Sequence, residues 1–512
     1  MAALTEKRKN SAIYILCILS FLTALFYNEH NLRHLPSDSL REGGTVITSD
    51  DASYLNPPRN YLNDYHWQED YWGGKIGSFI RPPGYGLLYL PFLKFLGETS
   101  AITSLKFFQY LLFAVSVFWF YSILLLLIKN RKIALLCSFF YGCSPFVVGF
   151  LSYTLTEGIT PAILLFHIYC LFKALHATSP RQKNGYYIFA AVVFAFLFIV
   201  RPLLGIFAPL LPAFVIYDLG RFPWRTWIFR LIAFTSIAFS FMIVWQVRNY
   251  KIAGEYVGLH PVYYEDGNTI FRAPFREYWD FAGGWAERGD AGFSYMVPMW
   301  EAAITGDTSY RHVRLALNSL PPQVVSFYGE PRLASVFKDY QSTILDQKYF
   351  YDQQLPMPLE QLESEKKSVK GFRELADEYK KEFPLQYYVL SPIKVFRLLA
   401  FHSNLSLFIF QRTYRGDLWM ESLRVLCFLL HGSCFLFLFI SMFLYRKEWI
   451  FALVFGWVPF IYVFYLCYIQ RGVEERYTLP VLPLLMIGLA HGLHTIYKAN
   501  YDRIVAFKAR YL

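Results

Sequence analysis

Long apolar segments recur along this chain of 512 residues and constrain its fold more than any other feature. A helix that crosses the hydrocarbon core of a bilayer needs roughly 20 mostly apolar residues. About ten segments reach or approach that length: 11–27, 105–128, 133–153, 155–173, 186–200, 203–217, 228–247, 421–445, 449–468 and 478–497. Only 17% of the residues are charged, so few side chains remain to cover a water-facing surface. The sequence therefore predicts an all-α polytopic membrane protein with about ten transmembrane helices.

Basic residues cluster at alternate ends of these segments and predict the orientation of the chain. Three of them precede the first segment, which lacks a cleavage pattern and is expected to stay as a helix. The clusters are Lys7, Arg8 and Lys9; Lys129, Arg131 and Lys132; Lys173, Arg181 and Lys183; Arg221, Arg225 and Arg230; Arg446 and Lys447; and Lys498, Arg503, Lys508 and Arg510. Under the positive-inside rule these ends and both termini are cytoplasmic. The net charge of +11 then indicates contact with anionic membrane lipid, with no nucleic-acid partner.

This orientation leaves two large extracytoplasmic segments, 28–104 and 248–420. We expect an N-terminal transmembrane catalytic module over 1–260, an extracytoplasmic α-rich loop domain over 261–420, and C-terminal transmembrane helices over 421–512. Glu and Lys recur at helical spacing in 359–382, which predicts a solvated helix. The apolar segment 391–410 would reverse the C-terminal orientation if it crossed, so we predict an interfacial helix there, with Lys394 and Arg397 reaching lipid phosphates.

Two adjacent carboxylates, Asp50 and Asp51, lie in the stretch TSDDASYL soon after the first apolar segment. Neighbouring carboxylates repel each other, so the pKa of one of them rises unless cations or hydrogen-bond donors compensate it. Such a pair suits general-base chemistry: Asp50 as the base, with Asp51 orienting the hydroxyl, binding an acceptor group or holding a metal ion. The alternative is that the pair only caps a helix that begins at Ala52.

Six cations lie at the outer ends of the segments, against the usual charge bias: Lys75, Arg81, Arg201, Arg248, Arg471 and Arg476. An arginine at this depth either reaches lipid headgroups or grips a phosphate with its planar fork. Six such residues together favour the phosphate-binding interpretation. The sequence thus places candidate base and phosphate ligands on one face of the membrane.

The motifs that carry these residues resemble the GT-C superfamily of integral membrane glycosyltransferases, in the branch of protein O-mannosyltransferases and lipid A aminoarabinose transferases. They occur in the family's order: TSDDASYL, RPPGYGLLY, LSYTLTEGITPAILL, VRPLLG, WQVRNYKIAGEYVGL and ERYTLPVLPLL. They cover residues about 45–260 and 470–490, and the block 260–420 carries none. The family has Asp-Glu in the first loop, so Asp50 matches the suspected base, whereas Asp51 replaces a glutamate.

The resemblance implies an inverting transfer of a sugar from a polyprenyl-phosphate donor to an acceptor hydroxyl or phosphate. It implies a multi-pass protein of the cell (inner) membrane with an extracytoplasmic catalytic face. Its partners would be membrane lipid, the lipid-linked donor, and a glycan, lipid or protein acceptor. A divalent cation is a candidate cofactor. Further substrate-binding candidates are Tyr54 and Tyr85 within the first two motifs, Glu157 in the third, and His260 just after the fifth.

Two other functions remain open from the sequence. A ligase or polymerase of the same superfamily would use a longer lipid-linked oligosaccharide, and donor size does not show in the motifs. A transporter that flips lipid-linked sugars would bind the phosphate without breaking a bond, and its functional polar residues would lie near the membrane midplane. The sequence identifies neither the sugar nor the acceptor.

Overall fold

The computed structural model describes residues 2–48, 50–71, 75–77, 81–220, 222–254, 256, 258–259, 272–285, 305–353, 355, 357–358, 360–400, 416–471 and 474–511. Its helices are α1 Ala2–Arg33, α2 Ala52–Asp64, α3 Gly84–Leu96, α4 Glu98–Ile128, α5 Arg131–Gly142, α6 Pro145–Val148, α7 Thr160–His176, α8 Pro180–Val200, α9 Leu210–Leu219, α10 Trp224–Ala253, α11 Ala273–Ala282, α12 Arg311–Ser319, α13 Pro322–Tyr328, α14 Glu330–Asp352, α15 Glu363–Glu382, α16 Ser391–Ala400, α17 Leu418–Leu444, α18 Trp449–Ala452, α19 Val458–Tyr465 and α20 Leu482–Tyr511.

Shorter helical turns connect several of these elements. The 3-10 turns are Ser37–Ser39, Thr156–Gly158, Pro202–Phe207 and Glu475–Thr478, and the π-helical turns are Gln386–Leu390, Leu453–Trp457 and Leu466–Gln470. The strands form two small antiparallel hairpins, β1 Leu40–Arg41 with β2 Thr45–Val46, and β3 Glu69–Tyr71 with β4 Lys75–Gly77.

Seven of the described helices are long and apolar enough to cross a membrane. Their bounds are Ser11–Arg33, Glu98–Ile128, Pro180–Val200, Pro202–Leu219, Trp227–Ala253, Glu421–Leu444 and Trp449–Gln470. A helix satisfies its backbone hydrogen bonds internally, which is what a segment without access to water requires. The predicted all-α polytopic membrane fold is confirmed, and these seven helices coincide with seven of the ten predicted spans.

The other three predicted spans fall on different elements. The segment 133–153 divides between α5, α6 and an irregular stretch, and 155–173 corresponds to α7, an apolar helix of 17 residues. The segment 478–497 lies mostly on α20, outside the seven apolar helices. A further short apolar helix, α3, was not predicted as a span. The total of about ten spans therefore stays a prediction.

One hydrophobic core joins the N-terminal helices to the C-terminal ones. It contains buried residues from Ile13 to Ala238 and again from Val395 to Ile487. Within it α7 packs on α8, α8 packs on α10, α1 packs on α4, and α17 packs on α20. The two halves of the chain therefore form one helical body, although about 150 residues of sequence lie between them.

A second core lies in the segment between α10 and α17. Buried aromatic and aliphatic side chains of α11 to α15 form it, including Tyr278, Phe281, Phe337 and Phe372. The prediction of a helix near 359–382 is confirmed by α15, but its description as solvated was incomplete. One face of α15 is buried in this core, because apolar residues repeat at helical spacing between the charged ones. The predicted domain boundaries remain predictions.

An ion pair fixes one end of α15 inside this region. Arg272 binds both carboxylate oxygens of Glu365, through Nε at 2.5 Å and Nη2 at 2.8 Å. The same carboxylate accepts hydrogen bonds from Gln347 and from the backbone N–H of Leu362. Both ionised side chains are almost fully buried, so this fourfold contact offsets the cost of removing them from water.

The first loop is attached to the helical body at defined points. Val46 of β2 forms a parallel bridge with Tyr153, which lies in the connection between α6 and α7. Gly43 has a φ of 94°, and a Cβ there would lie 2.8 Å from the carbonyl oxygen of Thr99, so this turn requires glycine. These contacts hold the segment that precedes Asp50 against the start of α4 and the approach to α7.

Candidate active site

The Asp50 carboxylate lies between two arginines from distant parts of the chain. Its Oδ1 accepts a hydrogen bond from Nη2 of Arg81 at 2.8 Å, and its Oδ2 accepts one from Nη2 of Arg476, also at 2.8 Å. The backbone carbonyl of Asp50 accepts a further bond from the Ser53 hydroxyl in the first turn of α2. Both carboxylate oxygens therefore already have a cationic partner.

Arg81 comes from the Pro-rich turn that precedes α3. Its Nε donates to the Ser53 hydroxyl at 3.1 Å, and its guanidinium lies over the ring of Tyr54 at 5.2 Å. The turn approaches the end of α8 closely: a Cβ on Gly84 would lie 2.5 Å from the backbone nitrogen of Val200. Only glycine allows this approach, which brings Arg81 toward the residue that follows α8.

That residue is Arg201, and it pairs with Glu157. Nη1 of Arg201 donates to Oε1 of Glu157 at 2.6 Å and to the Thr156 hydroxyl at 3.3 Å. Thr156 and Glu157 form the 3-10 turn that leads into α7, and both are buried. Because α7 and α8 pack along their lengths and are joined by a short connection, the start of one meets the end of the other.

Arg476 connects the two ion pairs. It lies in the 3-10 turn Glu475–Thr478, which follows the long helix Trp449–Gln470. Besides its contact with Asp50, its Nε forms an ion pair with Oε2 of Glu474 and lies 3.9 Å from Oε1 of Glu157. The result is a continuous network of three arginines and three carboxylates, which we call the Asp50 cluster: Arg81, Asp50, Arg476, Glu474, Glu157 and Arg201.

The Asp50 cluster has an accessible edge and a buried edge. Asp50 and Arg81 are each 32% exposed, whereas Glu157 is almost fully buried and Arg201 nearly so. A substrate therefore reaches Asp50 and Arg81 before it reaches the inner pair. Tyrosine rings line the network, since Arg201 and Arg476 both lie over the ring of Tyr477.

The charges of the cluster set the protonation of its acids. Burial by itself raises the pKa of Asp50, but the charges of Arg81 and Arg476 outweigh it and hold the pKa below its usual value. Glu157 behaves in the same way, because Arg201 and Arg476 outweigh its deep burial. Glu474 differs: burial raises its pKa above the usual value despite the contact with Arg476. Asp50 is thus ionised at neutral pH, and so is Glu157.

Asp51 points away from this cluster. Its Oδ1 pairs with Nη2 of Arg41 at 2.9 Å, while its Oδ2 accepts from the backbone N–H of Thr48 and the hydroxyl of Thr154. The side chain is only 2% exposed. Asp51 therefore connects the hairpin β1–β2 and the approach to α7, and the structure does not bring it together with Asp50's partners.

The alternative hypothesis, that the two carboxylates cap α2, does not agree with their side-chain contacts. Asp51 holds the N-cap position of α2, but its side chain makes no capping hydrogen bond and its backbone is already helical. The Asp50 side chain is engaged by arginines. Neither carboxylate caps the helix, so capping does not explain why two aspartates are adjacent here.

The two predicted tyrosines occupy successive layers behind Asp50. The Tyr54 ring lies beneath the Arg81 guanidinium and 5.3 Å from the ring of Tyr85. Tyr85 is fully buried and donates its hydroxyl to Gln109 of α4. Tyr54 therefore borders the cluster, whereas Tyr85 supports it from inside the helical body.

Two predicted phosphate ligands bind protein groups elsewhere. Arg248, near the end of α10, donates to the carbonyl oxygen of Trp67 at 2.7 Å and lies over the ring of Trp245. Arg471 is buried; it donates to the carbonyl oxygen of Gly283 and to the Ser391 hydroxyl. The first joins the end of α10 to the first loop, and the second joins a transmembrane helix end to the second core.

Two predicted ligands fall outside what can be described. His260 lies outside the described residues, and so does the side chain of Lys75, although the backbone of Lys75 is part of β4.

The described part of the predicted interfacial helix 391–410 is α16. Its Lys394 and Arg397 are exposed, while Val395 and Leu399 are buried in the first core. Among the described residues no group of three or more His, Cys, Asp or Glu side chains could hold a metal ion.

Several members of the site were not identified from the sequence. Glu474 contacts Arg476, and Ser53 and Thr156 hold the arginines of the two ion pairs. A signal for Glu474 was present, since an acid that neighbours an arginine at the end of an apolar helix is as unusual as the arginine itself. Ser53 and Thr156 carry no such signal, because hydroxyl side chains are common at helix starts.

Comparisons with known proteins give structural similarities only. No family model matches the sequence, and no curated protein matches it significantly. The apo oligosaccharyltransferase of Archaeoglobus fulgidus is 11% identical with a TM-score of 0.47, over 97% of this chain and 52% of that chain. The AglB complex from the same organism with an inhibitory peptide and a dolichol-phosphate has a TM-score of 0.40 at 11% identity, over 97% and 52%.

A third similar structure is ArnT from Cupriavidus metallidurans bound to undecaprenyl phosphate. It is 12% identical with a TM-score of 0.33, over 92% of this chain and 77% of that chain. The chain spans about half the length of the oligosaccharyltransferase chains it matches.

Proposed function

We propose that this chain is an inverting glycosyltransferase that moves a sugar from a polyprenyl-phosphate donor to an acceptor hydroxyl at the extracytoplasmic membrane surface. The observation that carries this proposal is the position of Asp50 between Arg81 and Arg476, with Arg201 beyond them. One accessible carboxylate beside several arginines is the minimum set for this chemistry. The arginines lie at the ends of apolar helices, where the phosphate of a membrane-anchored lipid is found.

Asp50 acts as the general base in this proposal. The acceptor hydroxyl approaches the accessible edge of the cluster and gives its proton to a carboxylate oxygen of Asp50. Its oxygen then forms a bond to the anomeric carbon on the face opposite the leaving phosphate. Because the displacement is in line, the configuration at that carbon inverts.

The arginines act on the opposite side of the anomeric carbon. The bond from that carbon to the phosphate oxygen breaks, and its electron pair stays on the phosphate. The phosphate charge grows from one negative charge to two, and planar guanidinium groups stabilise such a group bidentately. Arg81, Arg201 and Arg476 are the arginines that we propose for this role, out of the predicted set that also included Lys75, Arg248 and Arg471.

Asp51 has a structural function in this scheme. Its carboxylate is neutralised by Arg41 and receives an N–H and a hydroxyl donor, so it holds the backbone that carries Asp50. A metal ion needs free oxygen lone pairs and repels a neighbouring guanidinium and N–H donors. Asp51 therefore does not fit the predicted divalent cation, and no step here depends on one.

The test compares lipid-linked sugars in the source cells by mass spectrometry. Cells that lack the chain should accumulate one polyprenyl-phosphate sugar and lose one glycan modification, and the parent chain should reverse both changes. Asp50→Asn should be present in the membrane but fail to reverse them. Glu378→Gln is the matched control, since it removes a carboxylate from an exposed arginine pair in the second core region.

Three results would contradict the proposal. These are an unchanged lipid-linked sugar pool in cells without the chain, full reversal by Asp50→Asn, and a donor trapped on the cytoplasmic face. The last result indicates a transporter, in which the arginines bind the phosphate during flipping and no glycosidic bond breaks. The size of the accumulated donor separates a single-sugar transferase from an oligosaccharide ligase.

A further inference from the structure

The Asp50 cluster contains equal numbers of positive and negative groups. Arg81, Arg201 and Arg476 face the carboxylates of Asp50, Glu157 and Glu474, and each arginine already contacts at least one of them. A phosphate that approaches these arginines meets guanidinium groups that are in part already paired. For the leaving phosphate to gain full stabilisation, some arginine donors must lose their carboxylate partner during the reaction.

The atoms in contact show which donors can be released. Arg81 and Arg476 both meet Asp50 through Nη2, and each is held separately through Nε. Nε of Arg81 donates a hydrogen bond to the Ser53 hydroxyl, and Nε of Arg476 forms an ion pair with Glu474. If the contact with Asp50 is lost, each guanidinium therefore stays in place and only its Nη2 donor becomes available.

We propose that Asp50 couples the two halves of the transfer: when it takes the acceptor proton, it releases the Nη2 donors of Arg81 and Arg476 to the leaving phosphate. This inference rests on the proposed function and adds a sequence of events to it. A neutral carboxylic acid holds an arginine far less strongly than a carboxylate does. The same arginines thus pair with the base before proton transfer and with the leaving phosphate after it.

The charges balance throughout this step. Before the transfer the cluster is neutral and the donor phosphodiester carries one negative charge. Afterwards Asp50 is protonated, the cluster carries one positive charge and the polyprenyl phosphate carries two negative charges. The total is unchanged, and the new charge on the phosphate appears as the charge on Asp50 disappears.

The same coupling explains why a strongly paired carboxylate can serve as the base. Arg81 and Arg476 make Asp50 a weak base on its own, which opposes proton transfer. As the phosphate becomes more negative, it attracts Arg81 and Arg476 more strongly. The effect of these two arginines on Asp50 therefore weakens while the proton is transferred. The groups that face Asp50 in this process are Ser53, Arg81, Arg201 and Arg476, with Glu157 and Glu474 behind the last two.

Binding of a product analogue tests the coupling without any transfer. The probe is farnesyl phosphate, a short polyprenyl phosphate, titrated into the purified full chain in lipid nanodiscs at pH 8. A phosphomonoester has a second pKa of about 6, so the probe is a dianion at this pH. Farnesol serves as the uncharged control probe.

The expected result is a proton uptake of about one per farnesyl phosphate bound by the parent chain. It is measured as the dependence of the binding enthalpy on the ionisation enthalpy of the buffer. The variant Asp50→Asn imitates the protonated state, so it should bind the probe about tenfold more tightly or better, with no proton uptake. This variant is expected to be inactive in transfer, so tighter binding is a result that a general loss of structure does not give.

The controls separate the two proposals. Glu378→Gln should match the parent in both affinity and proton uptake. If the parent binds farnesyl phosphate no better than farnesol, the phosphate site of the proposed function is wrong. If the parent binds the phosphate without taking up a proton, or if Asp50→Asn binds it no more tightly, the phosphate site stands and the coupling through Asp50 is wrong.

Discussion

Asp50 and Arg476 are 426 residues apart in sequence, yet Oδ2 of the first accepts a hydrogen bond of 2.8 Å from Nη2 of the second. This contact joins the first loop to the turn between the last two long helices. It forms because both segments meet at the start of α7, where Val46 bridges to Tyr153 and Arg476 lies near Glu157. The predictions below concern this meeting point and the parts that hold it.

Substitution of each arginine by lysine should separate phosphate ligands from structural arginines. Lysine keeps the charge but loses the planar fork. Arg81→Lys, Arg201→Lys and Arg476→Lys should each lose about tenfold or more in turnover, roughly 1.4 kcal/mol of transition-state stabilisation. The measurement is kcat with the donor identified above.

Two further lysine variants complete this series. Arg248→Lys should retain turnover to within about threefold, since this arginine binds the carbonyl of Trp67 outside the cluster. Arg332→Lys, in an exposed pair with Glu378, is the surface control. Equal turnover in all of these variants would contradict the assignment of the phosphate site.

The acid limb of the pH profile should move when a partner of Asp50 is removed. The pKa of Asp50 is held below its usual value of about 3.9, so the base stays ionised and the acid limb of kcat/KM lies below about pH 4. The ion pairs of Asp50 likewise stabilise the fold above that pH and lose this effect as the pH falls through the lowered pKa.

Arg81→Gln removes one of the two charges that lower this pKa. The acid limb should therefore shift to higher pH, whatever happens to the maximum rate. The profile is measured as kcat/KM against pH for the parent, Arg81→Gln and Arg332→Gln. An acid limb that stays at the parent position in Arg81→Gln would mean that another group is the base.

Asp51→Asn should lower the stability of the protein but have only a small effect on kcat. The change leaves Arg41 without its carboxylate partner and weakens the connection from Thr48 to Thr154. Removing one partner of a buried pair costs about 3–5 kcal/mol, and less here because Arg41 is partly exposed, so we expect about 2 kcal/mol. Thermal unfolding in nanodiscs measures this loss.

The kcat values of Asp51→Asn and Asp50→Asn should differ strongly. Asp51→Asn should keep kcat per folded molecule within about tenfold, whereas Asp50→Asn should lose about two to four orders of magnitude. If kcat fell equally in the two variants at equal stability, Asp51 would have a catalytic role and not only a structural one.

Glu365→Gln should destabilise the second core. Glu365 is fully buried and binds Arg272 through both oxygens, so its loss leaves a buried guanidinium without a counter-charge. The expected cost is about 3–5 kcal/mol. Limited proteolysis of the chain in nanodiscs should show faster cleavage between α11 and α16.

Glu363→Gln is the matched control for this variant. Glu363 is two residues earlier on the same helix and forms an exposed pair with Lys366. Exposed pairs of this kind contribute little, so its proteolysis should match the parent. Equal resistance in both variants would indicate that the Arg272 pair is dispensable.

The orientation of the chain can be tested by labelling introduced cysteines in intact cells. Lys370→Cys, on the exposed face of α15, should react with a membrane-impermeant maleimide, because we predict this segment outside the cytoplasm. Gln182→Cys, exposed near the start of α8, should react only after the cells are opened. The reverse pattern would place the Asp50 cluster on the cytoplasmic face.

The sequence by itself determined the membrane fold and much of the site. Apolar runs of about 20 residues identified seven helices correctly, since hydropathy and length are properties of local sequence. Arg81, Arg201 and Arg476 could be singled out for a related reason. A charged residue at the end of an apolar helix is unusual without a partner or a function, and that signal is local too. Asp50 was singled out because two carboxylates are adjacent, and Glu157 because its motif resembles that of a family.

Only the tertiary structure decided which of these charges meet. Asp50 and Asp51 are neighbours in sequence, but their side chains diverge, one toward Arg81 and Arg476 and the other toward Arg41. Arg471 and Arg476 share one short loop, yet the first joins the second core and the second joins the Asp50 cluster. The physical reason is that a side chain's partner is fixed by how distant segments pack, through contacts such as that of Gly84 with Val200, and local composition does not encode these distances.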